Sequence, residues 1–279
     1  MSQFPIMLAA ITIDADNDTL QLDENGVVAA ATLAHGTYWL RGDGGAGDFC
    51  PVAVAALDAA FALGNTYAVT LSAWSVSAAA RSVTVTVSRA TGTTPFRVRW
   101  NHGSAEFSPA MLGFTTEKGA ADAADEVSTL SPSLVWVSNE RFIDIVPRLS
   151  ANVEEVEGAD GSLDLLELSA TVHRRTLSLE LVDGRRLWAH ERESDPNATL
   201  ERFWALVRDG RRVELHTTTI STHPNLTAPA LGTSEVGRDV GTSYHWVLAS
   251  PSSRGLEPSR SLTGMSHWDL DLHFVGYVA

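Results

Sequence analysis

The stretch 267-HWDLDLHF-274 alternates polar and apolar side chains along its whole length. Its apolar members are Trp268, Leu270, Leu272 and Phe274. Because successive side chains of a β-strand point to opposite faces, this alternation predicts a strand with one face in a core. The strand is predicted to run from His267 to Val278 and to close the second half of the chain.

The polar face of this strand carries residue types that bind metal ions. Neighbouring residues on one face of a strand lie roughly 7 Å apart, which is too wide for a shared ion unless other segments add ligands. We therefore predict no metal site and expect a solvated or interface-facing row instead. The candidate interface residues on it are Asp269, Asp271 and His273.

A helix is predicted over 196–208 in the same half. Asp195 is expected to cap it, Pro196 to be its first residue and Gly210 to end it, since these residue types favour those positions. An apolar stripe at helical spacing should face the core and consists of Leu200, Phe203, Trp204 and Val207. Strands are predicted at Leu163–Leu168, Arg175–Val182, Arg212–Thr218 and Tyr244–Ala249.

The first half repeats the order of strands, one helix and further strands. Its helix is predicted over 48–63, with Asp48 as the cap and Pro51 in the first turn. The segment 23–26 predicts a hairpin turn, because its Asn-Gly end tolerates positive φ. Strands are predicted at Ile6–Ile13, Leu20–Leu22, Val27–Leu33, Thr37–Arg41, Ser82–Ser88, Phe96–Trp100 and Leu134–Val137, and a loop at 117–133.

This element order predicts an α+β fold with mainly antiparallel pairing. The connections lack the alternating helices that a parallel sheet needs. We expect two modules, 1–147 and 148–279, each a β-barrel or sandwich with one packed helix. The halves share no visible repeated sequence, so they are not a sequence repeat.

Composition narrows the classes of function. A net charge of -14 repels phosphates and disfavours nucleic-acid binding. The one cysteine, Cys50, excludes an intrachain disulfide and is predicted to be a small buried apolar residue. The first 11 residues lack the basic region of a signal peptide, and no apolar stretch is long enough to span a bilayer. We therefore expect synthesis in a cytoplasm without membrane insertion.

Motifs of known catalytic sites do not occur in the sequence, which has no Gly-x-Ser-x-Gly, Walker or His-Glu-x-x-His pattern. The glycine-rich run 42–47 precedes a helix but lacks the Lys-Ser/Thr of a phosphate-binding loop, so a strand-to-helix turn is expected. We predict no catalytic residue, cofactor or enzymatic activity. A hydrolase that uses Asp269 and Asp271 is the alternative within the enzyme class.

Two further groups of residues are candidates for contacts with a partner. The basic cluster Arg208, Arg211 and Arg212 follows the second helix, where cations match the helix dipole, and is a candidate contact between protomers. The eight tryptophans are spread over the predicted elements, which favours core and interface roles. Exposed tryptophans, with Trp39, Trp74 and Trp100 as the candidates, would instead indicate a receptor- or glycan-binding module.

The order of elements in the second half resembles the tail-tube-like β-barrel of tailed bacteriophages and related contractile injection machines. The likeness covers roughly the last 100 to 120 residues and rests on element order. Its segments are 200-LERFW-204, 209-DG-210, 244-YHWVL-248 and 268-WDLDLHF-274. The segments 36-GTYWLRGDG-44 and 111-MLGF-114 are similar to modules of uncharacterised phage virion proteins.

The resemblance implies a structural protein of the virion, made in the host cytoplasm. The added first half indicates a tail-tip, baseplate or neck component rather than the repeating tube subunit. Its expected partners are further copies of itself in a closed ring and other phage tail proteins. The resemblance transfers no catalytic residue, and the receptor- or glycan-binding module remains the alternative function.

Overall fold

The computed structural model describes most of the chain. The residues described are 2–61, 64–72, 74–75, 81–99, 102, 105–137, 144–157, 163–208, 210–220, 244–248, 258–260 and 266–278. The strands are β1 (Ser2–Ala9), β2 (Ile11–Ile13), β3 (Thr19–Glu24), β4 (Val27–Thr32), β5 (Gly36–Tyr38), β6 (Thr66–Leu71), β7 (Val85–Thr91), β8 (Phe96–Arg99), β9 (Glu126–Val127), β10 (Val135–Val137), β11 (Asp144–Glu157), β12 (Leu163–Asp183), β13 (Val213–Ile220), β14 (Tyr244–Leu248), β15 (Ser259–Arg260) and β16 (His267–Val278). The helices are α1 (Phe49–Ala60), α2 (Gly184–Leu187) and α3 (Leu200–Val207), with short 3₁₀ turns at Pro109–Leu112, Ala189–Glu191 and Pro196–Ala198.

The largest sheet contains strands from both halves of the chain. Its order is β10-β1-β13-β14-β16-β12-β11, and β15 pairs with β16 beside this path. β1 pairs with β13 along its whole length, from Ser2 opposite Ile220 to Ala9 opposite Val213. This sheet therefore contains strands from both sides of the predicted module boundary at 147/148. The division of the chain into two modules at that boundary stays a prediction.

Three small sheets belong to the first half. β4, β3 and β8 form one, β6, β7 and β9 form another, and β2 pairs with β5. The β3–β4 hairpin turns at Asn25 and Gly26, whose φ angles are 50° and 89°, as the Asn-Gly pair predicts. α1 packs against β3, β4 and β6. The buried residues of the small sheets, α1 and the large sheet form one continuous hydrophobic core.

α1 begins where the sequence predicts. Asp48 is its N-cap, and the side chain of Asp48 accepts a hydrogen bond from the N–H of Cys50. The helix ends at Ala60 with Phe61 as the C-cap, so the predicted end at residue 63 is wrong. Cys50 is buried in the core, and burial raises the pKa of its thiol to about 12, with a further contribution from the charge of Asp48. Cys50 is therefore a buried apolar residue, as predicted.

The predicted helix over 196–208 is shorter than expected. Residues 196–198 form a 3₁₀ turn, and α3 starts at Leu200 with Thr199 as its N-cap. The predicted cap at Asp195 is thus wrong. The predicted buried stripe of α3 is confirmed, and Gly210 follows the helix with a φ of 90°.

β11 and β12 form a long hairpin whose outer part leaves the large sheet. β12 pairs with β16 from Arg174 to Asp183, whereas its pairing with β11 extends out to Leu163 opposite Glu157. Among the described strands, residues 149–157 and 163–173 pair only with each other. At about 3.3 Å per residue, this two-stranded portion is roughly 30 Å long.

The α+β class with mainly antiparallel pairing is confirmed. Each pair of described strands runs antiparallel, and the large sheet follows an open path from β10 to β11 within the described residues. β16 has the predicted bounds, His267 to Val278. β6, β9, β11 and β15 are strands that the sequence did not predict. In the described part of the chain, no helix is long and apolar enough to cross a membrane.

Candidate interface

The polar row predicted on the final strand faces outward from β16. Among the alternate apolar residues of this strand, Leu270, Leu272 and Phe274 are buried and Trp268 is half-buried. On the polar side, Asp271 and His273 are exposed and Asp269 is half-buried. β16 pairs with β12 on one side and with β14 and β15 on the other. A partner that contacts this row would therefore approach the face of the sheet and not its edge. Within the described residues, no group of three or more His, Cys, Asp or Glu could hold a metal ion.

The basic cluster lies in the turn between α3 and β13. Arg208 and Arg212 are exposed, whereas Arg211 is half-buried. Nη1 of Arg211 donates to the carbonyl oxygen of Ala10 at 2.7 Å, and burial lowers the pKa of the guanidinium. The N–H of Ala10 donates to the carbonyl oxygen of Arg212 at 2.8 Å. Arg211 therefore holds this turn against the link between β1 and β2.

Replacing Arg211 by alanine is expected to lower the free energy of unfolding by about 1–2 kcal/mol, because the carbonyl of Ala10 loses a charged donor. Arg212→Ala, one residue along the same turn, removes an exposed side chain and should change stability by less than about 0.5 kcal/mol. Urea unfolding of both variants measures the difference. Equal effects of the two substitutions would contradict the assigned role of Arg211.

A buried arginine connects residues from both halves of the chain. Arg186, in α2, has 0% of its surface exposed. Its Nη1 donates to Oγ of Ser82 at 2.6 Å, and its Nη2 donates to the carbonyl oxygen of Ser75 at 3.4 Å. Nε1 of Trp136 donates to the carbonyl oxygen of Arg186 at 3.1 Å. α2 is therefore fixed to residues 75–136 by side-chain hydrogen bonds as well as by packing.

Asp195 supplies a carboxylate beside this arginine. It is 3% exposed and accepts hydrogen bonds from the N–H of Ser131 at 3.0 Å and from its Oγ at 2.7 Å. Burial lowers the pKa of Arg186 to about 9 and also lowers that of Arg192, and the charge of Asp195 opposes both shifts. Its carboxylate is committed to Ser131, which explains why Thr199 caps α3 instead. We call Ser82, Ser131, Arg186, Arg192 and Asp195 the junction network.

A second ionic contact connects the first half to β13. Nε of Arg41 donates to Oε2 of Glu214 at 2.9 Å, and Nη2 of Arg41 pairs with Oε1 of the same carboxylate. The hydrogen bond with Glu214 raises the pKa of Arg41. The guanidinium also lies over the ring of Trp39, 5.4 Å from the centroid. This two-point pairing fixes the start of the glycine-rich run against the large sheet.

The glycine-rich run itself is a strand-to-helix turn, as predicted. Positive φ angles of 70°, 69° and 80° occur at Gly42, Gly44 and Gly47. The carboxylate of Asp48 accepts hydrogen bonds of 2.9–3.3 Å from four backbone N–H groups, those of Arg41, Gly42, Gly44 and Cys50. The amides that a phosphate would need are therefore already paired with a carboxylate of the chain.

Glu126 is a buried carboxylate in the first half. It is 5% exposed, and its Oε1 accepts a hydrogen bond from the N–H of Val98 at 2.7 Å. It borders a cavity of about 30 Å³ beneath α1, whose other lining residues are Leu20, Phe49, Ala53, Leu57, Val69, Val87, Val98, Pro109, Leu112 and Phe114. Burial among these apolar groups raises the pKa of Glu126 to about 7.

The tryptophans are mostly in the core. Trp39 and Trp74 are buried, as are Trp136 and Trp204. Trp100 and the side chain of Trp246 lie outside the described residues. Trp188 and Trp268 are half-buried and pack edge to face, with ring centroids 5.9 Å apart. Two of the three tryptophans named as candidates for a glycan platform are thus inaccessible to a glycan.

The residues that connect the halves were not predicted from the sequence. Arg186 and Asp195 occur in short polar segments, and their partners lie many residues away in the chain, Ser82 by 104 positions and Ser131 by 64. A local pattern carries no information on such distant pairs. The one signal in the sequence for the role of Asp195 was its position before Pro196. The same position is expected of an aspartate that caps a helix.

Comparisons with protein-family models, with curated proteins and with solved structures found no match. The candidate interface therefore rests on the residues and contacts of the chain itself. It comprises the polar row of β16, the exposed arginines of the α3–β13 turn and the outer edge of β11, which has no partner strand within the described residues.

Proposed function

We propose that the chain is a structural component of a phage tail, at the tail tip, baseplate or neck, which assembles into a ring with other virion proteins. The observation that carries the proposal is the run of α3, β13, β14 and β16. These elements occur in the order of the tail-tube-like resemblance, and the three strands lie side by side in the large sheet. Location in the virion after synthesis in the host cytoplasm belongs to the same proposal.

One end of the large sheet supports assembly through a strand edge. Within the described residues, the sheet ends on one side at β10, whose residues are fully buried, and on the other at β11, whose outer edge has no partner strand among them. A strand edge presents backbone N–H and C=O groups that a neighbouring strand satisfies. When such a contact joins two different surfaces, it repeats from subunit to subunit and gives a ring if the rotation closes.

Side-chain charge supports the same proposal. The acidic balance of the chain fits the wall of a channel that does not bind DNA, because like charges repel. Arg208 and Arg212 are exposed cations on this acidic protein and are suited to a neighbour's carboxylates. The outward row of Asp269, Asp271 and His273 offers such groups on the face of the large sheet.

Reversing the charge of Arg208 and Arg212 together, as Arg208→Glu and Arg212→Glu, should weaken assembly about tenfold or more. The control is Arg202→Glu, because Arg202 is also exposed but projects from α3 outside the cluster. Sedimentation velocity over a range of concentrations, with and without the neighbouring tail proteins, gives the assembled fraction. A wild-type chain that is strictly monomeric under all these conditions and absent from purified particles would contradict the proposal.

A further inference from the structure

The outer part of the β11–β12 hairpin differs from the rest of the large sheet. We name residues 149–157 and 163–173 the acidic arm. Its two strands pair with each other from Leu149 opposite His173 to Glu157 opposite Leu163, with register shifts between Ser150 and Val153. The pairing of β12 with β16 begins only at Arg174. Among the described strands, neither outer edge of the acidic arm has a partner.

Charge is segregated along this hairpin. Residues 149–173 contain six acidic residues and no Lys or Arg. The acids are Glu154, Glu155, Glu157, Asp160, Asp164 and Glu167. Three arginines, Arg148, Arg174 and Arg175, occur where the hairpin leaves the sheet. The acidic arm is therefore the part of the hairpin that attracts cations and repels anions.

The backbone of the acidic arm is suited to accept another strand. An isolated two-stranded hairpin is marginally stable in water, and a third strand stabilises it. Proline on an edge strand blocks such pairing. The one proline of β11, Pro147, lies opposite Arg175, in the part of the hairpin that belongs to the large sheet and not in the arm. Residues 149–173 contain no proline. Beyond the register shifts, the regularly paired residues 153–157 and 163–167 can thus form an uninterrupted ladder of hydrogen bonds with an added strand.

We propose that the acidic arm binds a basic, extended segment of a different protein, which adds to it as a β-strand. Main-chain hydrogen bonds would provide affinity, and lysine or arginine side chains opposite the carboxylates would provide selectivity. A second copy of the arm is disfavoured as the added strand, because residues 149–173 carry no Lys or Arg to pair with its acids. Nucleic acids and anionic membranes are disfavoured because the net charge of -14 repels phosphates. This inference goes beyond the proposed ring and does not require it.

The test uses the full chain and a short fluorescent peptide of alternating lysine and valine. Saturable binding is expected by fluorescence anisotropy, with slower hydrogen exchange at the amides of 149–157. Replacing Glu154, Glu155 and Glu157 by glutamine should weaken binding about tenfold or more, since it removes three of the five acids on the two strands of the arm. The control variant removes three exposed acids elsewhere, by Asp16→Asn, Asp125→Asn and Glu193→Gln, and should bind like the wild type.

Several results would overturn the proposal. They are an absence of binding, equal binding of a glutamate–valine peptide, an unchanged affinity of the arm variant, or a self-association of the wild type that the arm variant abolishes. Whether the chain forms a ring is measured in a separate experiment. A monomeric chain that binds the basic peptide contradicts the ring alone, whereas a ring that does not bind it contradicts the arm alone.

Discussion

Asp195→Ala is expected to lower the free energy of unfolding by about 3–5 kcal/mol. The substitution removes the acceptor for both the N–H and the Oγ of Ser131. It also removes the negative charge that favours the protonated forms of Arg186 and Arg192, which are both buried. Asp195 is the stronger of the two negative charges that act on these arginines, and Asp183 is the weaker one. Weakening the compensation of two buried cations is destabilising, so the loss should exceed that of an ordinary hydrogen bond.

The control for this prediction is Glu193→Ala. Glu193 is an exposed acid two positions from Asp195, and its removal should change stability by less than about 0.5 kcal/mol. Urea unfolding monitored by tryptophan fluorescence measures both variants. If Asp195→Ala were as mild as Glu193→Ala, the junction network would not stabilise the contact between the halves.

Glu126→Gln should stabilise the protein at pH 8 by about 3 kcal/mol and have little effect at pH 5. The pKa of Glu126 is raised from 4.5 to about 7 in the folded chain. Between these values the folded state binds more protons than the unfolded state, so the stability from this group falls as pH rises. Glutamine is uncharged throughout, has nearly the same shape and keeps the oxygen that accepts from Val98.

Asp125→Asn is the matched control, because Asp125 is the adjacent acid and is exposed. Urea unfolding at several pH values from 5 to 8 gives the difference between each variant and the wild type. The difference should grow with pH for Glu126→Gln and stay near zero for Asp125→Asn. A pH-independent difference for Glu126→Gln would show that burial does not raise the pKa of Glu126.

Local patterns in the sequence were sufficient to predict several elements of the fold. The strict alternation of 267–274 requires one buried face, and this stretch lies in β16, which has the predicted bounds. Asn25 and Gly26 tolerate the positive φ of a tight hairpin, and the turn is there. The stripe of α3 is buried as predicted, because residues at helical spacing share one face of a helix.

Other features depend on contacts between distant segments. β11 contains Pro147 and several glutamates, which disfavour a strand in isolation, yet its long ladder with β12 holds it in one. The pairing of β1 with β13 joins the two ends of the chain, and no local pattern specifies it. Asp195 shows the same limit, because its tertiary hydrogen bonds to Ser131 take precedence over a helix cap.

Of the candidate interface residues, the sequence correctly placed Asp271, His273, Arg208 and Arg212 at the surface. It could not separate Arg211 from its neighbours, since the acceptor of Arg211 is the distant carbonyl of Ala10. It also could not show that the acidic arm extends beyond the sheet. That feature appears only when the pairing of β12 with β11 is compared with its pairing with β16.

Electron microscopy of the purified chain, alone and mixed with the tail proteins proposed as its neighbours, tests the proposed assembly role most directly. The expected result is closed rings of a single rotational symmetry, built from subunits of 29.9 kDa. Particles that contain only single, unassociated subunits in both samples would contradict it.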